Sequence, residues 1–277
     1  MLLPILLLAC ASSSGWEHDY DSVPSEGPAQ ACEDDGSKIV CEHHESRFRD
    51  GNLSRRVLWQ LPAGAPPEAG WPSVIVFQGT GHGAANSFEA EVDDRWGGWW
   101  QAQLTRTLLE AGYAVIAPGT RLDGSWWDTN VLPWSAAWES SRDHRLVEGL
   151  LLGIEAGELG PLDREILYAT GISSGGYMTS RMAVSYPGRF RALAIQSASY
   201  ATCSGALCSV PELPADHPPT LFLHGEQDEV VPVESMLSYR DALEDQGTDT
   251  DAELDPDAHH GWLEVAPERI AEWFGDR

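Results

Sequence analysis

From residue 55 onward the chain alternates short apolar runs with longer amphipathic ones, the pattern of strand–helix units around a mainly parallel sheet. Apolar runs at 57–61, 73–77, 113–117, 166–170, 192–195 and 220–223 predict strands. Amphipathic stretches at 101–110, 142–155, 174–186, 234–246 and about 267–274 predict helices, the first stopped near Gly112 and the third at Pro187-Gly188. The acids Asp249, Asp251, Glu253, Asp255 and Asp257 alternate, which reads as a charged edge strand. No glycine sits mid-loop, so a calcium-binding EF-hand is excluded. The stretch 19–35 is polar and Pro-rich and is expected to be poorly ordered. The fold class these elements predict is α/β, with helices flanking a mostly parallel central sheet in one domain.

The N-terminus changes the picture first. Residues 2–9 form an apolar run too short to span a bilayer, and it ends in Leu7-Leu8-Ala9-Cys10, which looks like a bacterial lipobox with Cys10 as the lipid-bearing residue. No Lys or Arg precedes the run, as an export signal should have. Residues 1–19 are thus expected to be an export signal and tether, with a lipid anchor at Cys10, and residues 20–277 the catalytic domain. With Cys10 set aside, Cys32, Cys41, Cys203 and Cys208 remain, an even count that favours two disulfides in an exported chain. Of the three connectivities, the sequence-local one is expected: Cys32–Cys41 and Cys203–Cys208. Neither pair has zinc-ligand spacing, so no metal is expected.

Charge comes next. Asp and Glu number 43 against 17 Lys and Arg, a formal −26, and Lys38 is the only lysine. Repulsion at that charge argues against nucleic acid and anionic lipid as partners. The surface reads as solvated and acidic, and it also suits high salt, where screening acts within about 8 Å or less.

The chemistry sits in Gly171-Ile172-Ser173-Ser174-Gly175. A Gly-x-Ser-x-Gly between a strand and a helix is a nucleophile elbow, with glycines where side chains would collide and a strained, exposed serine. Its placement, not the bare motif, makes it specific, and it points to an α/β-hydrolase. Serine needs a base and the base an orienting acid, in the chain order Ser, acid, His. Asp228 follows the strand in Leu223-His224-Gly225-Glu226-Gln227-Asp228, and the sequel Val230-Val231-Pro232 favours it over Glu226 and Glu229. His259 and His260 both qualify as base; hydrolases commonly place the catalytic His before a small and an aromatic residue, and Gly261-Trp262 favours His260. Histidines 43, 44, 82 and 224 read as structural. The oxyanion of an ester's tetrahedral intermediate needs N–H donors, expected at Ser174 and at Thr80 in the loop after the 73–77 strand. That loop, Gly79-Thr80-Gly81-His82-Gly83, lacks the Gly-Lys-Ser/Thr ending of a phosphate loop.

Twelve tryptophans are many for this length. They cluster at 96, 99 and 100 and again at 126, 127, 134 and 138, between the expected core elements. Half of them suit ordinary packing; Trp99, Trp100, Trp126 and Trp127 are expected to form an apolar platform for a water-insoluble substrate.

The run Tyr168-Ala169-Thr170-Gly171-Ile172-Ser173-Ser174-Gly175-Gly176-Tyr177, continuing through Thr179-Ser180-Arg181-Met182-Ala183-Val184-Ser185, resembles the extracellular medium-chain-length polyhydroxyalkanoate depolymerases. So do Tyr200-Ala201-Thr202-Cys203-Ser204-Gly205 with Cys208, and Leu213-Pro214-Ala215-Asp216-His217-Pro218-Pro219-Thr220-Leu221-Phe222-Leu223-His224-Gly225. The resemblance runs from about Cys32 to the C-terminus. It implies a one-domain α/β-hydrolase without a separate substrate-binding domain or cofactor, a triad at Ser173, Asp228 and His260, and a water-insoluble polyester as substrate. Segments 80–88 and 96–100, which shape a pocket in this fold, differ from that family's pattern, as does the extra His259. A general secreted carboxylesterase and a catalytically silent polymer-binding surface protein are the competing expectations.

Overall fold

The computed structural model describes residues 14–204 and 208–277; the apolar run and Cys10 lie outside the described residues. The strands are β1 (Gly15–His18), β2 (Cys32–Asp34), β3 (Lys38–Cys41), β4 (His44–Asp50), β5 (Leu53–Gln60), β6 (Trp71–Phe77), β7 (Glu89–Glu91), β8 (Ala114–Pro118), β9 (Leu162–Ile172), β10 (Ala192–Gln196), β11 (Thr220–Gly225) and β12 (Thr250–Asp255). The α-helices are α1 (Gly98–Glu110), α2 (Arg142–Ala156), α3 (Ser174–Ser185), α4 (Val233–Asp245) and α5 (Ala266–Gly275).

Nine strands form one sheet in the order β1-β4-β5-β8-β6-β9-β10-β11-β12. The pairings from β8 through β12 are parallel and those from β1 to β8 antiparallel. The alternation of side chains along β6 explains its unbroken apolar run, because helices cover both faces. Val74 and Val76 pack with Leu104 and Leu108 of α1 and Ile270 of α5. Ile75 and Phe77 pack on the other face with Leu146 and Leu150 of α2 and Met178 and Met182 of α3. Tyr239 and Met236 of α4 pack against Ile195 and Phe222. β12 is an edge strand, as its alternating acids predict.

Every element expected after residue 55 is present within a few residues, whereas two expectations for the N-terminal part fail. The boundary after residue 19 does not hold, because β1 pairs with β4 as an edge strand of the main sheet. Its Trp16 lies where a side chain at Gly153 of α2 would stand, and Phe48 of β4 lies over Gly149 one turn earlier. Nor is 19–35 without structure: the Tyr20 hydroxyl donates to the Glu158 carbonyl (2.9 Å), and β2 joins β3 and β7 in a small antiparallel sheet. Cys32 and Cys41 are register partners across β2 and β3 and are disulfide-bonded, as are Cys203 and Cys208. Among the described residues no helix is long and apolar enough to cross a membrane.

Beneath α4, the buried ring of His217 bonds through Nδ1 to the Pro218 carbonyl (2.8 Å) and through Nε2 to the Tyr239 hydroxyl (2.6 Å). Burial pushes this imidazole down to about 4. The unfolded chain, with an ordinary histidine near 6.5, therefore takes up the proton first as pH falls. Stability is expected to be full above pH ~6.5 and to drop by about 3 kcal/mol between there and pH ~4. Denaturant midpoints measured across that window, with His217→Gln showing a shallower fall, check this.

Candidate active site

The loops that follow the parallel strands converge at one end of the sheet, the place where α/β sheets bind ligands. Ser173 stands between β9 and α3 with φ 54° and ψ −121°, a conformation rare for a non-glycine residue. The neighbouring glycines are sterically required. A Cβ at Gly171 would stand 2.5 Å from the Phe77 carbonyl oxygen, one at Gly175 would overlap that oxygen, and one at Gly176 would meet the Ala198 side chain at 2.5 Å. Backbone packing between β6 and α3 thus dictates the turn and leaves the Ser173 side chain projecting from it.

Asp228 and His260 approach from β11 and β12. The two are hydrogen-bonded, His260 Nδ1 to Asp228 Oδ2 at 2.7 Å. Asp228 Oδ1 accepts from the N–H groups of Val230 (2.9 Å) and Val231 (2.8 Å). Burial works to raise this carboxyl, but hydrogen bonds from His224, His260 and Val231 outweigh it and hold the group well below the usual carboxylate range. Glu226, Glu229 and His259 are exposed, whereas Asp228 is buried and His260 partly buried.

The His260 loop is gripped from two sides. Gly261 O accepts from Gln196 Nε2 and from Ser197 Oγ, both at 2.9 Å. Ser197 itself has φ 48°, at the end of β10. On the other side, Trp262 N donates to Trp96 O (2.9 Å) and Trp262 Nε1 to Gln101 Oε1 (3.0 Å). Neither Gln196 nor Ser197 carries a sequence signal of this role, since both read as the end of an apolar strand.

Ser173 and His260 line one cavity of about 180 Å³, together with Gly79, Thr80, His82, Trp96, Ile172 and Val230. Thr80 borders it from the loop after β6, and Gly79 lies so close to the elbow that a Cβ there would be 3.5 Å from that of Ser173. Among the described residues, the N–H groups of Thr80 and of Ser174, the first residue of α3, have no hydrogen-bond partner in the protein. Ser174 Oγ accepts from Trp127 N (2.9 Å). His82 is not a polar-loop residue: it is buried, its ring packs tilted against Trp96 with centroids 5.5 Å apart, and burial pushes its imidazole down.

The tryptophan platform needs correction. Trp127 is fully buried, with Nε1 donating to Gln78 O (3.0 Å) and its ring edge-on to Phe77, so it braces the elbow from behind. Trp99 is buried in the α1 core and Trp100 is half-buried against it. Trp126 remains on the surface, 50 % exposed. The tryptophan at the cavity is Trp96, 40 % exposed, whose ring lies over Gly81 where a Cβ would sit 2.5 Å from Cζ3. Composition could not separate these roles, because indoles serve equally as struts and as walls.

A search among characterised proteins gives a poly(3-hydroxyoctanoate) depolymerase of Pseudomonas fluorescens, 46 % identical over 241 residues, which are 86 % of each chain. The chain belongs to this depolymerase family of α/β-hydrolases. Residues 206–274 also match the model of the prolyl oligopeptidase family, the stretch that contains Asp228 and His260. Among solved structures, a thermostable esterase superposes with TM-score 0.63 at 21 % identity over 84 % of this chain and 62 % of that one. A putative dienelactone hydrolase from Klebsiella pneumoniae subsp. pneumoniae gives 0.58 at 20 % identity over 85 % and 99 %. These likenesses establish the α/β-hydrolase fold, and membership of the depolymerase family makes the protein an ester hydrolase.

Proposed function

We propose that this protein is an extracellular depolymerase of a water-insoluble, medium-chain-length polyhydroxyalkanoate, acting through Ser173, His260 and Asp228. The observation that carries the reading is that Ser173, in its strained turn, and His260, bonded to Asp228, open on the same largely apolar cavity.

His260, oriented by Asp228, takes the Ser173 proton as Oγ forms a bond to the ester carbonyl carbon. The resulting oxyanion is held by the N–H groups of Thr80 and Ser174. Collapse breaks the C–O bond to the departing alkoxide, which receives the proton from His260 and leaves as a shortened polymer. Water, deprotonated by His260, then attacks the acyl-enzyme and releases the hydroxyacid, returning the proton to Ser173. No cofactor takes part in these steps.

The lining of the cavity suits this substrate class. The wall is Trp96, Ile172 and Val230, which offer dispersion contact to an alkyl tail. Trp126 adds exposed apolar surface for contact with the polymer. The formal −26 charge argues against nucleic acid as a partner. Two disulfides suit an oxidising, extracellular workplace; a lipid on Cys10 would hold the enzyme at the cell surface.

Turbidity loss of poly(3-hydroxyoctanoate) latex tests the reading, run beside poly(3-hydroxybutyrate) particles and a soluble octanoate ester. Clearing of the octanoate latex is expected, with Trp96→Ala lowering its rate about tenfold relative to the short-chain polymer, since the lost indole contact falls on the longer tail. Cleavage of the soluble ester alone would reduce the protein to a general carboxylesterase.

A further inference from the structure

His224 closes β11 and its side chain is fully buried. Its Nε2 lies 2.8 Å from the Val231 carbonyl and 3.3 Å from Asp228 Oδ2, the same oxygen that accepts from His260. Both neighbours of Nε2 are acceptors, so this nitrogen carries the hydrogen; it donates to the Val231 carbonyl, with Asp228 Oδ2 beside it at 3.3 Å. Its other nitrogen, Nδ1, is buried with no partner among the described residues, so the ring has no competing contact to turn it away.

Asp228 is thereby held at four points. Oδ1 takes the two backbone N–H groups of Val230 and Val231, while Oδ2 lies against two imidazoles, His260 at 2.7 Å and His224 at 3.3 Å. A carboxylate fixed at Oδ1 alone could still tilt and present Oδ2 poorly to His260. The second imidazole, 3.3 Å from Oδ2, limits that freedom.

We propose that His224 is a positioning residue of the hydrolytic reaction, holding the Asp228 carboxylate so that Oδ2 faces His260 Nδ1. The proposal rests on the reading of Asp228 and His260 as catalytic partners. A core histidine satisfied by Val231 alone would stabilise the loop without affecting turnover, and the two cases separate experimentally.

The test is a double-mutant cycle on a soluble octanoate ester, using the full chain and confirming folding by thermal melting: wild type, His224→Met, Asp228→Ala and the double variant. Methionine keeps the buried length and removes the donor. His224→Met is expected to lower kcat about 10- to 100-fold with KM within about twofold, the worth of a hydrogen bond to a charged group. In the Asp228→Ala background the same change should cost less than about twofold, because its target is gone. His224→Gln, whose amide nitrogen reaches the Nε2 position, should restore kcat to within about threefold of wild type. Should the methionine variant not fold, His224→Asn, whose shorter amide misses Oδ2, takes its place with the same expected loss. Wild-type kcat in the donor-less variant, or an equal loss in both backgrounds, overturns the positioning role. An Asp228→Ala chain with wild-type kcat would instead overturn the role of Asp228 itself, and this proposal with it.

Discussion

Alanine at position 173 is expected to reduce ester hydrolysis by about a million-fold while the protein stays folded, the scale on which a serine hydrolase depends on its nucleophile. The fold should tolerate the change because the turn is dictated by backbone packing. Gly171, Gly175 and Gly176 fit against Phe77, Gln196 and Ala198, and the Ser173 amide donates to Gln196 O at 3.0 Å. None of these contacts uses the serine hydroxyl. His260→Ala is expected to cost a similar factor, and the double variant little more than either alone, since the two groups act as one unit. His259→Ala should stay within a few-fold of wild type, because that side chain is exposed while His260 bonds to Asp228. Steady-state kcat/KM on a soluble ester, with thermal melting as the control for folding, measures all four. An inactive His259→Ala beside an active His260→Ala would move the base to the other histidine.

The largest stability effect is expected outside the cavity lining, at Arg55 and Asp143. Their side chains are almost wholly buried and paired at 2.5 Å, and Asp143 Oδ2 also accepts from the Asp128 amide at 2.7 Å. Burial pushes the Asp143 carboxyl up, and Arg55 beside it draws it back. Arg55 belongs to β5 and Asp143 to the first turn of α2, and Asp128 directly follows Trp127. The pair therefore joins the antiparallel half of the sheet to the indole that braces the elbow. Arg55→Met leaves a buried carboxylate without its cation and is expected to cost about 3 to 5 kcal/mol. At about 2 to 4 °C per kcal/mol for a chain of this size, the melting temperature should drop by roughly 6 to 20 °C. Arg55→Met with Asp143→Leu should recover much of that loss, since an apolar pair of similar volume avoids the uncompensated charge. Calorimetry on the single and double variants decides the matter; a single variant within 1 kcal/mol of wild type would show the pair to be energetically idle.

How much of this could be read from the chain follows from how each element is buried. β6, β9, β10 and β11 are covered on both faces, so they stand out as unbroken apolar runs between Gly and Pro punctuation. The elbow was legible for the same reason, being anchored to β9 and α3. The strands before residue 55 were not. β4, His-Glu-Ser-Arg-Phe-Arg-Asp, buries Ser46 and Phe48 and turns Arg49 outward to Glu17 at 2.6 Å, so its composition imitates a loop. Nothing local announces that Phe48 and Trp16 find seats over Gly149 and Gly153, more than a hundred residues away. The tryptophans' roles are not legible in the sequence because exposure depends on which loop folds over which. Trp127 disappears when its indole reaches the Gln78 carbonyl, and Trp96 surfaces because its backbone adopts φ 54°. His224 reads in the sequence as the end of a buried strand, since its contact with Asp228 exists only once 225–231 curls back over the strand end.

The bond from Trp262 N to Trp96 O joins the mouth of the cavity to the loop that carries His260 through main-chain atoms alone. Identity at position 96 can therefore be exchanged without touching that link, whereas insertions or deletions between Asp94 and Gly98 would pull on it, because Gly97 leaves no room beside Trp262. For a designer of new ester specificities, this divides the rim into a part open to recoding by point substitution and a part whose length must be conserved. A library built on side-chain variety at 96 should retain turnover across most of its members, while one built on loop length should lose it in nearly all.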